Sequence, residues 1–209
     1  MWYLKHIMTI EKNIIEQFDT KYKHASFIGR LLINNFFKTI KKTIPRDVKS
    51  VAEIGCGVGF STLRLKEFFN EDVSFFASDV DPELVEIAQK RNPEITSHPE
   101  SIYDLKHPDN KFDLIFCLEV LEHLEDPEKG LKELARITNK YAIISVPREP
   151  LWRVLNMARG KYWKDLGNTT GHLNHWSKKS FASFVSKEFN ILSIHPSLPW
   201  TIILAEKKK

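Results

Sequence analysis

The stretch that decides the fold reads Val51-Ala52-Glu53-Ile54-Gly55-Cys56-Gly57-Val58-Gly59-Phe60. It is an apolar run that ends in three glycines spaced G-x-G-x-G, with an acid two residues before the first glycine. Glycines at the end of a strand let the backbone turn sharply and approach a ligand closely. The spacing is not the G-x-G-x-x-G of dinucleotide-binding folds, because Phe60 stands where a third Gly or Ala belongs. The stretch therefore predicts a strand and a ligand-binding turn; a tight turn without a ligand is the alternative.

Strands and helices alternate around this stretch. Apolar runs predict strands at residues 48–54, 73–77, 95–97, 112–118 and 141–146. Helices are predicted between them at residues 61–69, 82–91 and 128–138. The strands are nearly continuous apolar runs, which is typical of a parallel sheet covered on both faces. The alternation therefore predicts an α/β fold with a Rossmann-like, doubly wound and mostly parallel sheet.

The length of 209 residues corresponds to a single domain. Within it we expect a helical cap at residues 1–46, a cofactor-binding core at residues 47–146 and a third segment at residues 147–209. The third segment contains predicted strands at residues 189–195 and 200–206. Two strands so close in sequence are most easily antiparallel.

Charge is distributed unevenly along the chain. Residues 1–50 carry 10 Lys and Arg against 4 Asp and Glu, residues 51–145 carry 10 against 19, and residues 146–209 carry 11 against 4. The three net charges are therefore +6, −9 and +7, which sum to the formal +4 of the chain. An acidic centre between two basic ends indicates that the centre and the ends have different tasks.

Composition excludes several classes of protein. Two cysteines exclude a disulfide-dense scaffold and a cysteine-built zinc module. No apolar run reaches the ~18 residues of a membrane span, and the first residues lack the pattern of a signal peptide. We therefore expect a cytoplasmic protein with free thiols and no transmembrane segment.

An acid follows the second predicted strand. Asp79 lies about 20 residues beyond the glycine turn, where a carboxylate can accept both hydroxyl protons of a ribose. Its alternative role is to cap the next helix, but Asp81, directly before Pro82, is the better cap. No Walker lysine follows the glycines, which argues against a nucleoside triphosphate.

In this order, Glu53-x-Gly55-x-Gly57-x-Gly59, Asp79 and Phe112-Asp113-Leu114-Ile115 resemble the motifs of class I S-adenosylmethionine-dependent methyltransferases of the type 11-like group. The resemblance covers residues 48–146 best. It implies a seven-stranded sheet with an antiparallel last strand, an N-terminal helical cap and S-adenosylmethionine as the cofactor. In that family the segment after the fifth strand shapes the acceptor pocket, here residues 147–209.

The resemblance also implies a set of cofactor contacts. Gly55, Cys56 and Gly57 would approach the methionine moiety, with Glu53 at its amino group. Asp79 would take the ribose hydroxyls. The remaining contacts are Val80, Ser101 and Ile102 at the adenine, where Ser101 replaces the frequent Asp of the family, and Cys117 and Leu118 at the methyl-donor end.

Two acids and a histidine follow the fourth predicted strand. Glu119, Glu122 and His123 are spaced i, i+3 and i+4, which would share one face of a helical turn. Two carboxylates and an imidazole there could hold a divalent cation such as Mg²⁺, Mn²⁺ or Zn²⁺. The alternative makes His123 a substrate contact or a base and the acids structural.

The Glu-x-x-Glu-His run is similar to that of ubiquinone-pathway O-methyltransferases and of metal-dependent 2′-O-methyltransferases of small-RNA 3′ ends. In the latter a downstream histidine completes the site, and His172 is the matching position. The resemblance implies a four-ligand metal site at Glu119, Glu122, His123 and His172, in which a metal lowers the pKa of a substrate hydroxyl.

Residues 147–176 combine five Lys and Arg with four aromatic residues. Such a segment could bind an anionic or aromatic acceptor, because Arg pairs with carboxylates and phosphates and Trp stacks. The candidate acceptor contacts are Arg148, Trp152, Arg153, His172 and Trp176. The alternative is that the tryptophans anchor this segment to the core and the charges are solvated.

These patterns predict methyl transfer to an oxygen or carbon of a small anionic or polar molecule, with or without a metal. One alternative is an RNA 2′-O-methyltransferase, favoured by the basic ends but lacking a recognisable RNA-binding module. The other is a nucleoside-binding protein without catalysis, which would have no use for Glu119, Glu122 and His123. We do not expect DNA as a partner.

Overall fold

The structure is a computed structural model that describes residues 27–208. The six helices in this range are α1 (Phe27–Thr43), α2 (Phe60–Lys66), α3 (Pro82–Arg91), α4 (Pro127–Ile137), α5 (Leu151–Ala158) and α6 (Lys178–Val185). The seven strands in it are β1 (Ser50–Ile54), β2 (Ser74–Asp79), β3 (Thr96–Pro99), β4 (Phe112–Leu118), β5 (Thr138–Pro147), β6 (Phe189–Ser197) and β7 (Trp200–Lys207). Short 3₁₀ turns occupy Leu121–His123 and Trp163–Asp165.

The strands form one sheet in the order β3-β2-β1-β4-β5-β7-β6. Strands β1 to β5 pair in parallel, while β7 is antiparallel to both β5 and β6. The predicted α/β fold, with a mostly parallel seven-stranded sheet and an antiparallel last strand, is confirmed. The order reverses between β1 and β4, and in sheets of this kind ligands bind outside the carboxyl ends of the strands at that point.

The sheet is buried on both faces, as its apolar strands predict. Neighbouring residues of one strand face opposite layers, so Val51 packs with α1 and α2 while Ala52 packs with α4 and α6. Both side chains are fully buried. The acidic and glycine-rich ends of the strands therefore project from a rigid, three-layered core.

The N-terminal segment is described only in part. Of the predicted helical cap at residues 1–46, residues 1–26 lie outside the described part of the chain. The described helix α1 belongs to the core, because Phe36, Phe37 and Ile40 are buried against the sheet. The ring of Phe36 lies 5.0 Å from that of Trp200 on β7.

Several predicted elements differ from the observed ones by a few residues at their ends, and β3 and β5 are two of them. The short apolar run at residues 95–97 is a strand that extends to Pro99 and pairs with β2. The fifth strand begins at Thr138, directly after α4, and is longer than the predicted 141–146, because Thr138 pairs with Phe112 of β4 and Pro147 pairs with Trp200 of β7. Among the described residues, no helix is long and apolar enough to cross a membrane.

Candidate active site

The glycine turn leaves β1 at the carboxyl edge of the sheet. The backbone N–H groups of Gly55 and Cys56 both donate to the carbonyl oxygen of Ser78, at 2.8 and 2.9 Å. The N–H of Gly57 donates to Oδ2 of Asp79 at 2.8 Å. The end of β2 therefore holds the turn in place through one carbonyl and one carboxylate.

Asp79 thus has a structural role that the sequence did not suggest, which is to hold the glycine turn. Its carboxylate also accepts from the N–H of Asp81 at 3.2 Å. The helix cap belongs to Asp81, whose carboxylate accepts from the N–H of Glu83 at 2.9 Å, as predicted. Asp79 is only part-buried. The ribose contact implied for it stays a prediction.

Glu53, the acid before the glycines, is almost fully buried. Its Oε2 accepts from the hydroxyl of Thr62 on α2 at 2.6 Å. Burial raises the pKa of this carboxyl to about 7, and the nearby charge of Asp79 adds to the rise. Glu53 therefore braces the turn against α2, and its predicted contact with a cofactor amino group stays a prediction.

The other predicted cofactor residues divide by exposure. Val80 is 69% exposed beside the turn, an open apolar surface of the kind that the predicted adenine contact needs. Ile102 and Leu118 are buried. Ser101 uses its hydroxyl to accept from the N–H of Tyr103 at 3.2 Å, within the loop that follows β3.

Both cysteines are free, as expected, and both are buried. Burial raises the pKa of the Cys56 thiol and of the Cys117 thiol, and nearby carboxylates add to both shifts. A thiol that stays protonated is a poor nucleophile. These side chains therefore suit apolar packing in the two layers of the core rather than covalent chemistry.

The segment after β4 packs directly on the glycine turn. A Cβ atom at Gly55 would lie 2.2 Å from Cγ2 of Val120, so only glycine fits beneath this valine. Val120 immediately precedes the 3₁₀ turn Leu121–His123. Residues of that turn are consequently held next to the predicted methyl-donor end of the cofactor site.

Three candidate ligands meet at this position. Atoms of Glu122, His123 and His172 that could bind a metal lie within 4.8 Å of one another. Glu122 and His172 are buried, whereas His123 is exposed. The two imidazole rings stand edge to face with centroids 4.9 Å apart. The structure therefore brings together side chains that are about fifty residues apart in sequence.

Backbone hydrogen bonds hold the two segments together. The N–H groups of Leu173 and Asn174 donate to the carbonyl oxygen of Glu122 at 2.8 and 3.0 Å. Nδ2 of Asn174 donates to the carbonyl oxygen of Leu124 at 2.6 Å. Asn174 is a positioning residue that sequence reasoning missed, although the Gly-His-Leu-Asn-His-Trp run that contains it was visible.

Glu119 is placed differently from its prediction. The expected helical turn with Glu122 and His123 is wrong, because Glu119 has a φ of 60° and precedes the 3₁₀ turn. Its Oε1 accepts from the hydroxyl of Ser145 on β5 at 2.8 Å. Glu119 is not a member of the compact three-residue group.

Some of the predicted acceptor residues attach their segment to the rest of the protein. Trp152 lies on α5, where its Nε1 donates to Oγ1 of Thr169 at 2.8 Å and its ring is roughly parallel to that of His172, with centroids 6.1 Å apart. Trp176 packs on Phe181 and Phe184 of α6, so this tryptophan is a core anchor.

Of the two predicted acceptor arginines, Arg153 contacts a carboxylate through its side chain, and Arg148 is held through its backbone. Nε of Arg153 lies 3.6 Å from a carboxylate oxygen of Glu149. The backbone of Arg148 bridges to Trp176, and its N–H donates to the carbonyl oxygen of Pro199 at 2.9 Å. Among the predicted acceptor residues, Trp152 and His172 are in ring contact with each other.

Residues 52–146 match the model of the family described as "Methyltransferase domain". Among curated proteins, ajmaline N-methyltransferase of Rauvolfia serpentina is 27% identical over 104 residues, which are 47% of this chain and 35% of the relative. A tRNA U34 carboxymethyltransferase of Campylobacter jejuni subsp. jejuni is 32% identical over 130 residues, or 60% of this chain and 41% of the relative. The chain thus spans well under half the length of these relatives.

A solved structure gives the same fold. The magnesium protoporphyrin IX methyltransferase of Synechocystis PCC 6803, solved with bound SAH, superposes with a TM-score of 0.66 at 18% identity. The superposition covers 88% of this chain and 89% of that one. Residues 52–146 are therefore similar in sequence to methyltransferase domains, and the described chain has the fold of this solved methyltransferase.

Proposed function

We propose that this protein transfers the methyl group of S-adenosylmethionine to an oxygen or carbon atom of a small acceptor with anionic or polar groups. The observation that carries the proposal is the position of Glu122, His123 and His172. They form a compact polar group, and Val120 joins that group to the glycine turn. A side-chain cluster that abuts a cofactor turn is a candidate reaction centre.

At the cofactor half of the site, the protein does not need to activate the methyl group. The sulfonium of S-adenosylmethionine is already activated, so the protein mainly aligns the acceptor with the methyl group and excludes water. The buried turn, braced by Glu53 and Asp79, supplies a rigid reference for that alignment. A base is needed only where the acceptor atom must lose a proton.

We further propose that Glu122, His123 and His172 hold a divalent cation. One carboxylate and two imidazoles form a mixed donor set that suits Zn²⁺, Mn²⁺ or a similar ion. A ligating histidine usually donates its second ring N–H to a carbonyl, and Nδ1 of His123 lies 2.9 Å from the carbonyl oxygen of Gly171. When bound, such a cation would lower the pKa of an acceptor hydroxyl.

Without a cation the same group supports a second mechanism. The exposed His123 would act as the base or the acceptor contact, and the buried Glu122 would shape the site. The ring of Trp152 beside His172 would form the next part of the acceptor wall. Both mechanisms share the acceptor position, and they differ in their response to a chelator.

An RNA 2′-O-methyltransferase is the second candidate function. It is favoured by the likeness to a tRNA U34 carboxymethyltransferase and by the net charge of +7 on residues 146–209. Binding through phosphates would make affinity for RNA fall steeply with salt. RNA affinity that does not respond to salt would contradict this candidate.

The test is a screen for transfer of a labelled methyl group to separate metabolite, lipid and RNA fractions, with and without EDTA. We expect label in one small-molecule fraction, and none with the Asp79→Ala variant. If S-adenosylmethionine binds but no fraction is labelled, the alternative of a nucleoside-binding protein without catalysis gains support. If the cofactor does not bind and Asp79→Ala makes no difference, the proposed activity is wrong.

A further inference from the structure

Residues 158–166, which we call the basic prong, stand out from the surface. All nine are exposed. The apolar side chains are prominent, with Trp163 64% exposed and Leu166 71% exposed. Val154, on the adjoining helix α5, is 52% exposed. Large apolar side chains that cluster on a surface mark an interaction site more often than isolated ones do.

Hydrogen bonds hold the base of the prong in place. Nδ2 of the buried Asn156 donates to the carbonyl oxygen of Gly167 at 2.9 Å and to Oγ1 of Thr169 at 3.1 Å. The N–H of Gly167 donates to the carbonyl oxygen of Tyr162 at 2.8 Å. These bonds close the segment into a fixed loop, so its tip is presented rather than collapsed onto the core.

The prong is basic as well as apolar. The prong carries Arg159, Lys161 and Lys164 against the single acid Asp165, a net charge of +2. Tryptophan and tyrosine prefer the boundary between lipid headgroups and hydrocarbon. Lysine and arginine near an anionic bilayer add to the affinity by electrostatic attraction. The composition of the tip therefore matches an anionic membrane surface.

We propose that the basic prong docks this protein on an anionic lipid bilayer, with Trp163 and Leu166 entering the interface and Lys161 and Lys164 meeting the headgroups. RNA fits less well, because aliphatic side chains such as Leu166 cannot stack on bases as aromatic ones do. A protein partner is disfavoured by shape, since a stable interface buries about 800 Å² on each side and the tip is one short loop. The inference is independent of the proposed methyl transfer.

The prong shares its helix with the proposed acceptor side. Asn156 and Trp152, both on α5, donate to the same hydroxyl of Thr169, and the ring of Trp152 lies beside His172. A bilayer bound at the tip would therefore lie on the side of the molecule that α5 and residues 169–172 form.

The experiment is co-sedimentation of the full chain, without cofactor, with vesicles of phosphatidylcholine alone or mixed with anionic phosphatidylglycerol. We expect binding to the mixed vesicles that weakens with salt. The Trp163→Ser/Leu166→Asn and Lys161→Glu/Lys164→Glu double variants should each lower this binding at least about tenfold. Asparagine is chosen because Leu166 has a φ of 48°, which asparagine tolerates.

Two variants provide matched controls. Leu192→Ser removes a side chain that is 50% exposed on β6, and Lys132→Glu reverses an exposed charge on α4. Neither should change vesicle binding. The proposal is overturned by equal binding to both kinds of vesicle or by equal effects of prong and control variants. It is also overturned if the prong variants abolish binding to single-stranded RNA or self-association while anionic vesicles are not bound.

Discussion

Nδ1 of His123 lies 2.9 Å from the carbonyl oxygen of Gly171. Because a carbonyl oxygen only accepts hydrogen bonds, Nδ1 carries the proton and Nε2 of a neutral ring keeps its lone pair. The bond joins the turn after β4 to a loop about fifty residues later. The tautomer that a metal, a proton or an acceptor would meet is thus chosen by tertiary structure.

The first prediction concerns this bond. In Gly171→Ala, an alanine at a φ of 89° is strained, and the strain acts on the peptide whose carbonyl accepts from Nδ1 of His123; the new methyl group itself would lie at an ordinary contact distance of 3.5 Å from Nδ1. We expect methyl transfer to fall at least about tenfold, because a displacement of about 1 Å can cost a hundredfold in rate. Gly160→Ala is the control, since its φ of 73° imposes similar strain and its Cβ would contact nothing within 4 Å. Equal losses in the two variants would refute a positioning role.

The second prediction separates two neighbouring acids. Asp79→Ala removes the acceptor of the Gly57 N–H and the predicted ribose contact, each a charge-assisted bond. We expect calorimetry with S-adenosylhomocysteine to show roughly hundredfold weaker binding, since such bonds contribute about 1.5–3 kcal/mol each. Asp81→Ala removes only the cap of α3 and should cost about 1 kcal/mol of stability without changing the affinity. Similar binding losses in both variants would contradict the assignment.

The third prediction follows from the buried Glu53. Its pKa of about 7 in the folded protein exceeds the ordinary 4.5, so the folded state holds the proton more tightly than the unfolded state. Stability relative to Glu53→Gln should therefore fall as the pH rises from about 4.5 to about 7, by roughly 3 kcal/mol in total. Urea unfolding followed by circular dichroism at about pH 5 and about pH 8 measures this difference.

Glu133 provides a control of opposite sign. Its bond to Arg136 lowers the pKa of the Glu133 carboxyl. The stability that it adds is present above the ordinary pKa and is lost as the pH falls through the lowered value. Relative to Glu133→Gln, the protein should therefore lose stability on acidification. Shifts of the same sign in both comparisons would show that burial of Glu53 is not the cause.

The fourth prediction tests the cation. Glu122→Gln should weaken binding of Mn²⁺ to the cofactor-free protein at least about tenfold, because the negatively charged carboxylate ligand is replaced by a neutral amide. Glu119→Gln should leave the affinity nearly unchanged, since Glu119 accepts from Ser145 and lies outside the compact group. His175→Ala is a further control, because Nε2 of His175 is 2.7 Å from Oδ1 of Asn168. Absent or variant-independent Mn²⁺ binding would favour the metal-free mechanism.

The sequence was sufficient for the fold because its signals are local and redundant. Each apolar strand, the glycine turn and the cap at Asp81 depend on residues close together in the chain. The strand alternation and the motif order then fixed the class of sheet. Weak local signals failed in extent only, as with β5, whose first residue, Thr138, pairs with Phe112 of the neighbouring strand β4.

The site was predicted less completely, because side-chain spacing gives direction only where the backbone conformation is known. Glu119 illustrates this, since its positive φ removes it from the face that helical spacing assigns to it. Trp176 is a second example. A tryptophan in a basic segment suggests a ligand contact, but in the structure this side chain packs on Phe181.

What the sequence determined by itself is the class of fold. It is a mostly parallel sheet whose first strand ends in a glycine turn, with an acid at the end of the second strand. What only the tertiary structure decided is which polar groups meet at that turn. His172 joins Glu122 and His123 because backbone hydrogen bonds attach residues 173 and 174 to the carbonyl of Glu122. Such contacts link distant parts of the chain, and no local pattern encodes the direction of the side chains that they bring together.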